Sequence, residues 1–401
     1  MKRVVIVCVG FVLAAAFLAA CGGKENPSGE TLSVDPLRID APKDKGSYKL
    51  AVTSNAAWTA NFQDAGGTAL SWGVLDRSSG TGDATLTLRL YENKYNVARS
   101  GSLVVKTTGG VVATVSVVQE GDSGSQTEQV TVKMRIGSYN LRGSWLTETK
   151  PENDWSLRQT RLGQSIRDCA FDIVGMQEVG ADAQSWLSSN FSDTYTFKFF
   201  SPYSQNGTGD RSQAVGWRTD TFTMSEWNYF WMGDTPGTMS RNDTGASGNY
   251  NRGGCCCVLT HKATGLKIFL MNTHGCMNSG PNWDYAPQFE RMEKQYNQMG
   301  LPSFFVGDMN STESSEPGSP YMVYTSYWKD SYKEVPGAKR SGCIGTFNGY
   351  SAPTGKNRID MVFFRGGNPT VADTYTCKNT LYGGLYASDH FPVFVDFTVT
   401  N

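Results

Sequence analysis

Hydrophobic positions along the chain follow three regimes. Residues 4–17 form an unbroken apolar run behind Lys2 and Arg3, the layout of a secretory signal and too short for a lasting membrane span. Between residues 31 and 121 short runs alternate apolar and polar side chains, as in 48–52, 84–90, 102–105 and 113–118. Gly, Asn, Ser and Asp separate them, and Gly109-Gly110 marks a hairpin, so this stretch is predicted to be all-β. From residue 130 onward the pattern changes to short buried runs that end on polar residues. Residues 134–139 lead to Asn140, 171–177 to Glu178, 267–271 to Asn272 and His274, and 302–307 to Asp308 and Asn310. Runs of this length bounded by Gly and polar residues predict buried strands.

Two further segments reverse the order. Asp360 precedes the run 361–364, and Asp389-His390 precedes 391–395. If all six polar ends meet on one rim, four strands arrive with one polarity and two with the other. The sheets must then be mixed, which excludes a Rossmann-type sheet and a TIM barrel. Residues 155–169 and 285–299 carry helical patterns between these strands, so an α/β layered architecture is expected. The size and turn spacing of 31–121 fit an immunoglobulin-like sandwich ahead of it.

Composition sharpens this picture at two points. With 3 His among 401 residues, any imidazole chemistry must use His261, His274 or His390. Two of these fall at the predicted strand ends, whereas His261 sits at a predicted hairpin turn. The net charge of −1 argues against a dedicated basic nucleic-acid binder. The 9 Cys lack CxxC spacing, which argues against zinc. Those from Cys169 onward leave an odd number, so any disulfide pairing stays open. Cys255–Cys257 read as a buried strand in which thiols act as small hydrophobes. The gathered set Asn140, Glu178, Asn272, His274, Asp308, Asn310, Asp360, Asp389 and His390 offers oxygen donors for a hard divalent cation and imidazoles for a phosphoryl group.

Three resemblances add to this reading. Leu18-Ala19-Ala20-Cys21 resembles a bacterial lipobox. It implies a lipoprotein signal peptide over 1–20, a lipid on Cys21 that attaches the protein to a membrane, and a tether over 21–30. That implies a cell-envelope lipoprotein of the outer membrane, with Lys24-Glu25 resembling a Bacteroidetes surface-export signal. The stretch 31–121 resembles the BACON module through Ser54-Asn55-Ala56-Ala57-Trp58, Arg99-Ser100-Gly101 and Val118-Gln119-Glu120-Gly121. That resemblance implies glycan binding, although Trp58 at a strand position reads as core and the module as a spacer. Residues 122–129 form a polar linker.

The segment 130–401 resembles the endonuclease/exonuclease/phosphatase superfamily. Its motifs stand as Ser138-Tyr139-Asn140-Leu141-Arg142, Gln177-Glu178-Val179, Asn272-Thr273-His274, Gly307-Asp308-Met309-Asn310, Arg358-Ile359-Asp360 and Ser388-Asp389-His390. The resemblance implies a four-layer α/β/β/α sandwich with two mixed sheets and a monomeric, metal-dependent phosphoester hydrolase. Glu178, Asn140 and Asp389 would hold Mg²⁺, with Mn²⁺ or Ca²⁺ as alternatives. Asp308 would activate water, and Asn310 and His390 would contact phosphate. Asp360 would orient His390, and His274 would act as an imidazolium beside the leaving group. Asn272, Arg142 and Arg211 are expected to bind substrate. Arg211 stands where many relatives carry Glu, so a carboxylate partner for His274 stays open. Two substrate readings follow: a small or lipid phosphoester, or nucleic acid cut by an extracellular nuclease. The second would use Arg142, Arg211, Arg252, Lys356 and Arg358 as a phosphate track, with Trp145, Trp283 or Tyr285 stacking bases. A third reading is a glycan-binding surface lipoprotein with an inactive hydrolase domain.

Overall fold

A computed structural model describes residues 29–64, 66–93, 98–122, 129–233, 235–239, 251–276, 285–352 and 357–401. The expectations for Cys21 and its signal, for Lys24-Glu25, for Trp283 and Lys356, and for most of the tether and linker lie outside these residues. The described residues divide into two units, one running to Asp122 and the other taking up from residue 129.

Nine strands make up the described part of the first unit: β1 Leu32–Asp35, β2 Arg38–Ala41, β3 Gly46–Ser54, β4 Ala57–Gln63, β5 Gly73–Leu75, β6 Ser79–Thr81, β7 Ala84–Leu90, β8 Arg99–Thr107 and β9 Val112–Gln119. They form two sheets, ordered β1-β3-β7-β5 and β2-β9-β8-β4-β6. This is the immunoglobulin-like layout expected from the alternation. The inward positions Leu50, Val52, Leu86, Leu88, Leu103, Val105, Val115 and Val117 fill one core. Trp58 is 2% exposed and its indole N–H donates to the Gly82 carbonyl. It is a core residue and not a sugar platform.

The second unit contains two sheets flanked by helices. The first runs through β10 Thr131–Asn140, β11 Ile173–Val179, β12 Tyr195–Phe200, β13 Ser212–Arg218, β19 Arg340–Gly342, β21 Thr370–Cys377 and β22 Val393–Thr400, in the order β12-β13-β11-β10-β22-β21-β19. The other joins β14 Phe222–Trp231, β15 Gly253–His261, β16 Lys267–His274, β17 Ser303–Asp308, β18 Lys329–Asp330 and β20 Asp360–Arg365, in the order β14-β15-β16-β17-β20-β18. Both are mixed: β10 and β11 run parallel, as do β16 and β17, while β22 and β20 run antiparallel to their neighbours.

Three apolar clusters define four layers. Ile136, Ile173, Leu270, Val306, Val362 and Val395 meet between the sheets. Helices α1 (Trp155–Cys169) and α2 (Ala181–Asn190) cover the outer face of the seven-stranded sheet, packing Leu162, Ile166 and Leu187 against Val174 and Met176. Helices α3 (Ala286–Tyr296) and α4 (Pro320–Tyr327) cover the other sheet, with Phe289, Met292 and Tyr324 against Phe305 and Phe363. A one-turn helix α5 (Ser331–Glu334) follows β18. The helix expected at 155–169 has those bounds, and the one expected at 285–299 is shorter because Pro287 opens it and Gly300 lies past its end.

Candidate active site

Strand alternation explains how the site is assembled. In β10, Val132, Met134 and Ile136 point between the sheets, and the same parity continues to Ser138 and Asn140. In β16 the inward series Ile268, Leu270 runs on to Asn272 and His274; in β17 Phe304 and Val306 run on to Asp308. In β20 the series is reversed, from Asp360 to Val362 and Phe364. The inter-sheet core thus turns polar at one rim. Register completes the row, because His274 pairs with Asp308 and Asp308 pairs with Asp360 across adjacent strands. His390 comes from the segment before β22, fixed by a bridge to Phe347.

The innermost group is a His–carboxylate cluster. His390 Nδ1 donates to Asp360 Oδ2 at 2.9 Å, and its Nε2 lies 3.7 Å from Asp308 Oδ2. Burial opposes a charge on this ring, but Asp360 and Asp308 outweigh it and hold the imidazole well above its usual range. The second oxygen of Asp360 is buried without a hydrogen-bond partner, so His390 is the group that answers its charge. Burial, and secondarily the repulsion from Asp360, pushes Asp308 up to about 6 although His390 draws it down. His274 Nε2 lies 3.4 Å from Asp308 Oδ2. Burial, then the charges of Arg252 and His390, hold this second imidazole well below its usual range. That direction runs against the imidazolium expected at His274.

Asp308, Asp360 and His390 have ligand atoms within 4.8 Å of one another, close enough to share a cation. Both nitrogens of His390 face carboxylates, however, and a doubly protonated ring has no lone pair for a metal. Glu178 and Asp389, the carboxylates expected to hold a divalent cation, lie beside this cluster. Asp389 is pushed up by burial and by repulsion from Glu178, a conflict that a hard cation between them would relieve. Asn140 serves them differently from the expectation. Its amide nitrogen donates to Glu178 Oε1 at 3.1 Å and to Asp308 Oδ2 at 3.0 Å, while its oxygen accepts the Arg142 N–H at 2.9 Å. As placed, Asn140 orients the Glu178 and Asp308 carboxylates.

Glu178 reaches the rim through a local irregularity. Its parity in β11 is that of Val174 and Met176, which face the helices. A register shift between Met176 and Val179, with Glu178 at φ 54°, turns its side chain toward the rim. The Gly143 N–H then donates to Glu178 Oε2 at 2.9 Å. Arg142 and Arg211 also adopt left-handed backbone (φ 60° and 54°), as does Asn310 at 46°. Asn310 donates its side-chain amide to the Gly275 carbonyl, and its backbone N–H to Asp308 Oδ1.

Beside this cluster lies a cavity of about 190 Å³, bordered by Arg142, Glu178, Tyr203, Arg211, Arg252 and His274. Arg142 pairs with Glu148 at 2.7 Å and with Asp389 at 3.2 Å. Arg211 lies over the rings of Trp145 and Tyr203, 5.5 and 5.2 Å from their centroids. Its neighbour Asp210 accepts the Ala181 N–H at the start of α2. The carboxylate recorded beside His274 is Asp308, and Arg211 occupies the cavity wall instead.

Several expected residues are placed otherwise. Asn272 is fully buried and spent internally: its amide donates to the Met176 and Ala214 carbonyls and its oxygen accepts from Gln177. It supports the site from below and does not meet substrate. Arg358 is 2% exposed and paired with Asp330, and Tyr285 is 3% exposed; neither can join a phosphate track or stack a base. Sequence reasoning missed three supports. Gln177 bridges Ser138 and Asn272. Arg158 donates to the Leu141 and Arg142 carbonyls and fixes the turn after Asn140. Thr346 Oγ1 accepts the Ile359 and Asp360 N–H groups at 3.0 Å. Gln177 carried a signal, a polar residue on the inward parity of a buried strand.

Comparison with known proteins agrees with this layout. No curated protein matches the chain. Among solved structures, an endonuclease/exonuclease/phosphatase family protein from Bacteroides thetaiotaomicron is similar at 22% identity and a TM-score of 0.59, covering 67% of this chain and 99% of that one. The mannosyl-6-phosphatase of the same organism is similar at 24% identity and a TM-score of 0.56, covering 66% and 99%. A Bacteroides vulgatus endonuclease/exonuclease/phosphatase gives 23% and 0.58, covering 67% and 99%. The family model for this group matches residues 137–390, and the chain belongs to the endonuclease/exonuclease/phosphatase family.

Proposed function

We propose that the second unit is a divalent-metal-dependent hydrolase of small phosphoesters, with Mg²⁺ as the expected ion. The observation that carries this reading is the Asp360–His390–Asp308 cluster set beside Glu178 and Asp389 at the mouth of a confined, arginine-lined cavity. Glu178 and Asp389 would hold the cation, which when bound supplies charge that offsets the phosphoryl oxygens. Asp308, held by Asn140 and raised toward neutrality by burial, takes a proton from the attacking water. His390 stays protonated through Asp360 and presents its charge to the phosphoryl group. His274 enters neutral and donates a hydrogen bond near the leaving group. Asn310 keeps part of its amide for a phosphate oxygen. Arg211 and Arg252 draw the anionic end of the substrate into the cavity.

The small volume favours a compact substrate over a polymer, and the loss of Arg358 and Tyr285 from the expected track weakens the nuclease reading. One structural neighbour is a mannosyl-6-phosphatase, so phosphorylated sugars lead the substrate panel. We further propose that the protein is a lipoprotein of the cell envelope, anchored through Cys21, with the BACON-like first unit as its spacer. The test uses the purified protein with sugar 6-phosphates, bis-p-nitrophenyl phosphate and plasmid DNA, each with Mg²⁺ or EDTA. A phosphomonoester is expected to be hydrolysed with Mg²⁺ and not with EDTA, and Glu178→Gln to lower kcat by about 10²–10³. Hydrolysis that persists in EDTA overturns the metal role. Preferential nicking of plasmid overturns the small-substrate reading.

A further inference from the structure

Seven cysteines lie among the described residues, and none of them forms a disulfide there. Cys169, Cys255, Cys256, Cys257 and Cys276 are buried at 0–1% exposure and act as apolar packing. Cys343 and Cys377 differ from them. Cys377 ends β21, and its register partner in the parallel pair with β19 is Gly342, the residue before Cys343. The two sulfurs lie 3.4 Å apart. The approach depends on Gly342, which sits at φ 84° and whose missing side chain would fall 1.7 Å from the Cys377 carbonyl oxygen. Cys343 is half-buried while Cys377 is buried, so one thiol is open to a reagent and the other waits behind it.

The segment that follows Cys343 is part of the active-site scaffold. The Cys343 thiol donates to the Gly345 carbonyl at 3.1 Å. Thr346 Oγ1 then accepts the Asp360 N–H, the Thr346 carbonyl accepts the Phe391 N–H at 2.7 Å, and Phe347 bridges to His390. Whatever fixes residue 343 fixes the strip that seats Asp360 and His390.

We propose that Cys343 and Cys377 are a redox site: they close a reversible intrachain disulfide that clamps the 343–347 strip against β21. This rests on the thiol geometry and not on the hydrolase reading. The oxidant is a small-molecule disulfide. The Cys343 thiolate attacks one sulfur of that disulfide, forms a mixed disulfide and expels one small thiolate, which is protonated. The Cys377 thiolate then attacks the Cys343 sulfur and expels the second. Two protein thiols are oxidised, one small disulfide is reduced to two thiols, and protons and electrons balance. The hydrogen bond from Cys377 holds the Cys343 thiol below its ordinary range, while that bond and burial push Cys377 well up. This polarity makes Cys343 the attacking sulfur.

The experiment treats the purified protein with oxidised glutathione, blocks remaining thiols and maps peptides by mass. A linked Cys343–Cys377 pair, lighter by two hydrogens and reopened by dithiothreitol, is expected. Because the closed loop is long, the oxidised protein should melt roughly 5–10 °C higher. Cys343→Ser should lose both the link and the shift while its phosphoester hydrolysis under reducing conditions matches the parent. Two results overturn the proposal: both thiols alkylated after oxidation, or a reaction that stops at glutathione on Cys343. Peptide mapping of the parent decides the matter even if Cys343→Ser folds poorly.

Discussion

Arg211 shows what single residues contribute and how far they could be read in advance. Its charge stands over Trp145 and Tyr203 on the cavity wall, held outward by a left-handed backbone. A guanidinium stacked on two rings is preorganised, so binding an anionic group costs it little side-chain entropy. Arg211→Ala is expected to raise KM for a phosphoester about 10–100-fold with kcat changed far less, as for loss of one charged hydrogen bond. Steady-state kinetics check this, and an unchanged KM would mark Arg211 as a solvated charge. Asn140, Glu178, His274, Asp308, Asp360, Asp389 and His390 were legible because each follows or precedes a short buried run. The direction of their titration was not, since it depends on burial and on neighbours distant in sequence: burial, then Arg252 and His390, draws His274 down, while Asp360 and Asp308 overcome burial and draw His390 up.

Among elements, the junction around Asp330 is the one the sequence hid. Asp330 ends β18, caps α5 through the Tyr332 N–H, accepts the Tyr321 hydroxyl from α4 and pairs with Arg358 ahead of β20. Nothing in the pattern separates this buried pair from surface charges, which is why Arg358 read as a phosphate contact. Removing one member leaves the other charged and dry, so Asp330→Ala should destabilise the fold by about 3–5 kcal/mol. Denaturant unfolding measures it, and a loss below about 1 kcal/mol would show that the pair behaves like an exposed one. The strands that carry the site residues, and helices α1 and α3, were legible because short buried runs and helical spacing are local. The bulge at Glu178 was not, because it exists only against the register of β13.

Over the whole molecule, the break between alternating, turn-rich sequence and buried runs coincides with the division at Asp122. Each unit fills its own apolar core. Residues 129–401 expressed alone are therefore expected to fold and to keep the parent kcat/KM on a soluble phosphoester; a loss beyond about tenfold would show that the first unit completes the site. Strand polarity made the mixed sheets legible, whereas the four-layer order came from the family resemblance, because period-2 patterns do not say which inward faces meet. Finally, Arg142, Glu178 and Arg211 all sit in left-handed backbone around one cavity, and Asn310 does so beside Asp308. For residues other than glycine that conformation costs roughly 1–2 kcal/mol each, less for Asn. A domain retained only as a scaffold would gain by placing glycine at 142, 178 and 211. The chain instead keeps charged side chains where its backbone is least comfortable, so variants selected for heat tolerance alone should drift at these three positions first and lose turnover as they do.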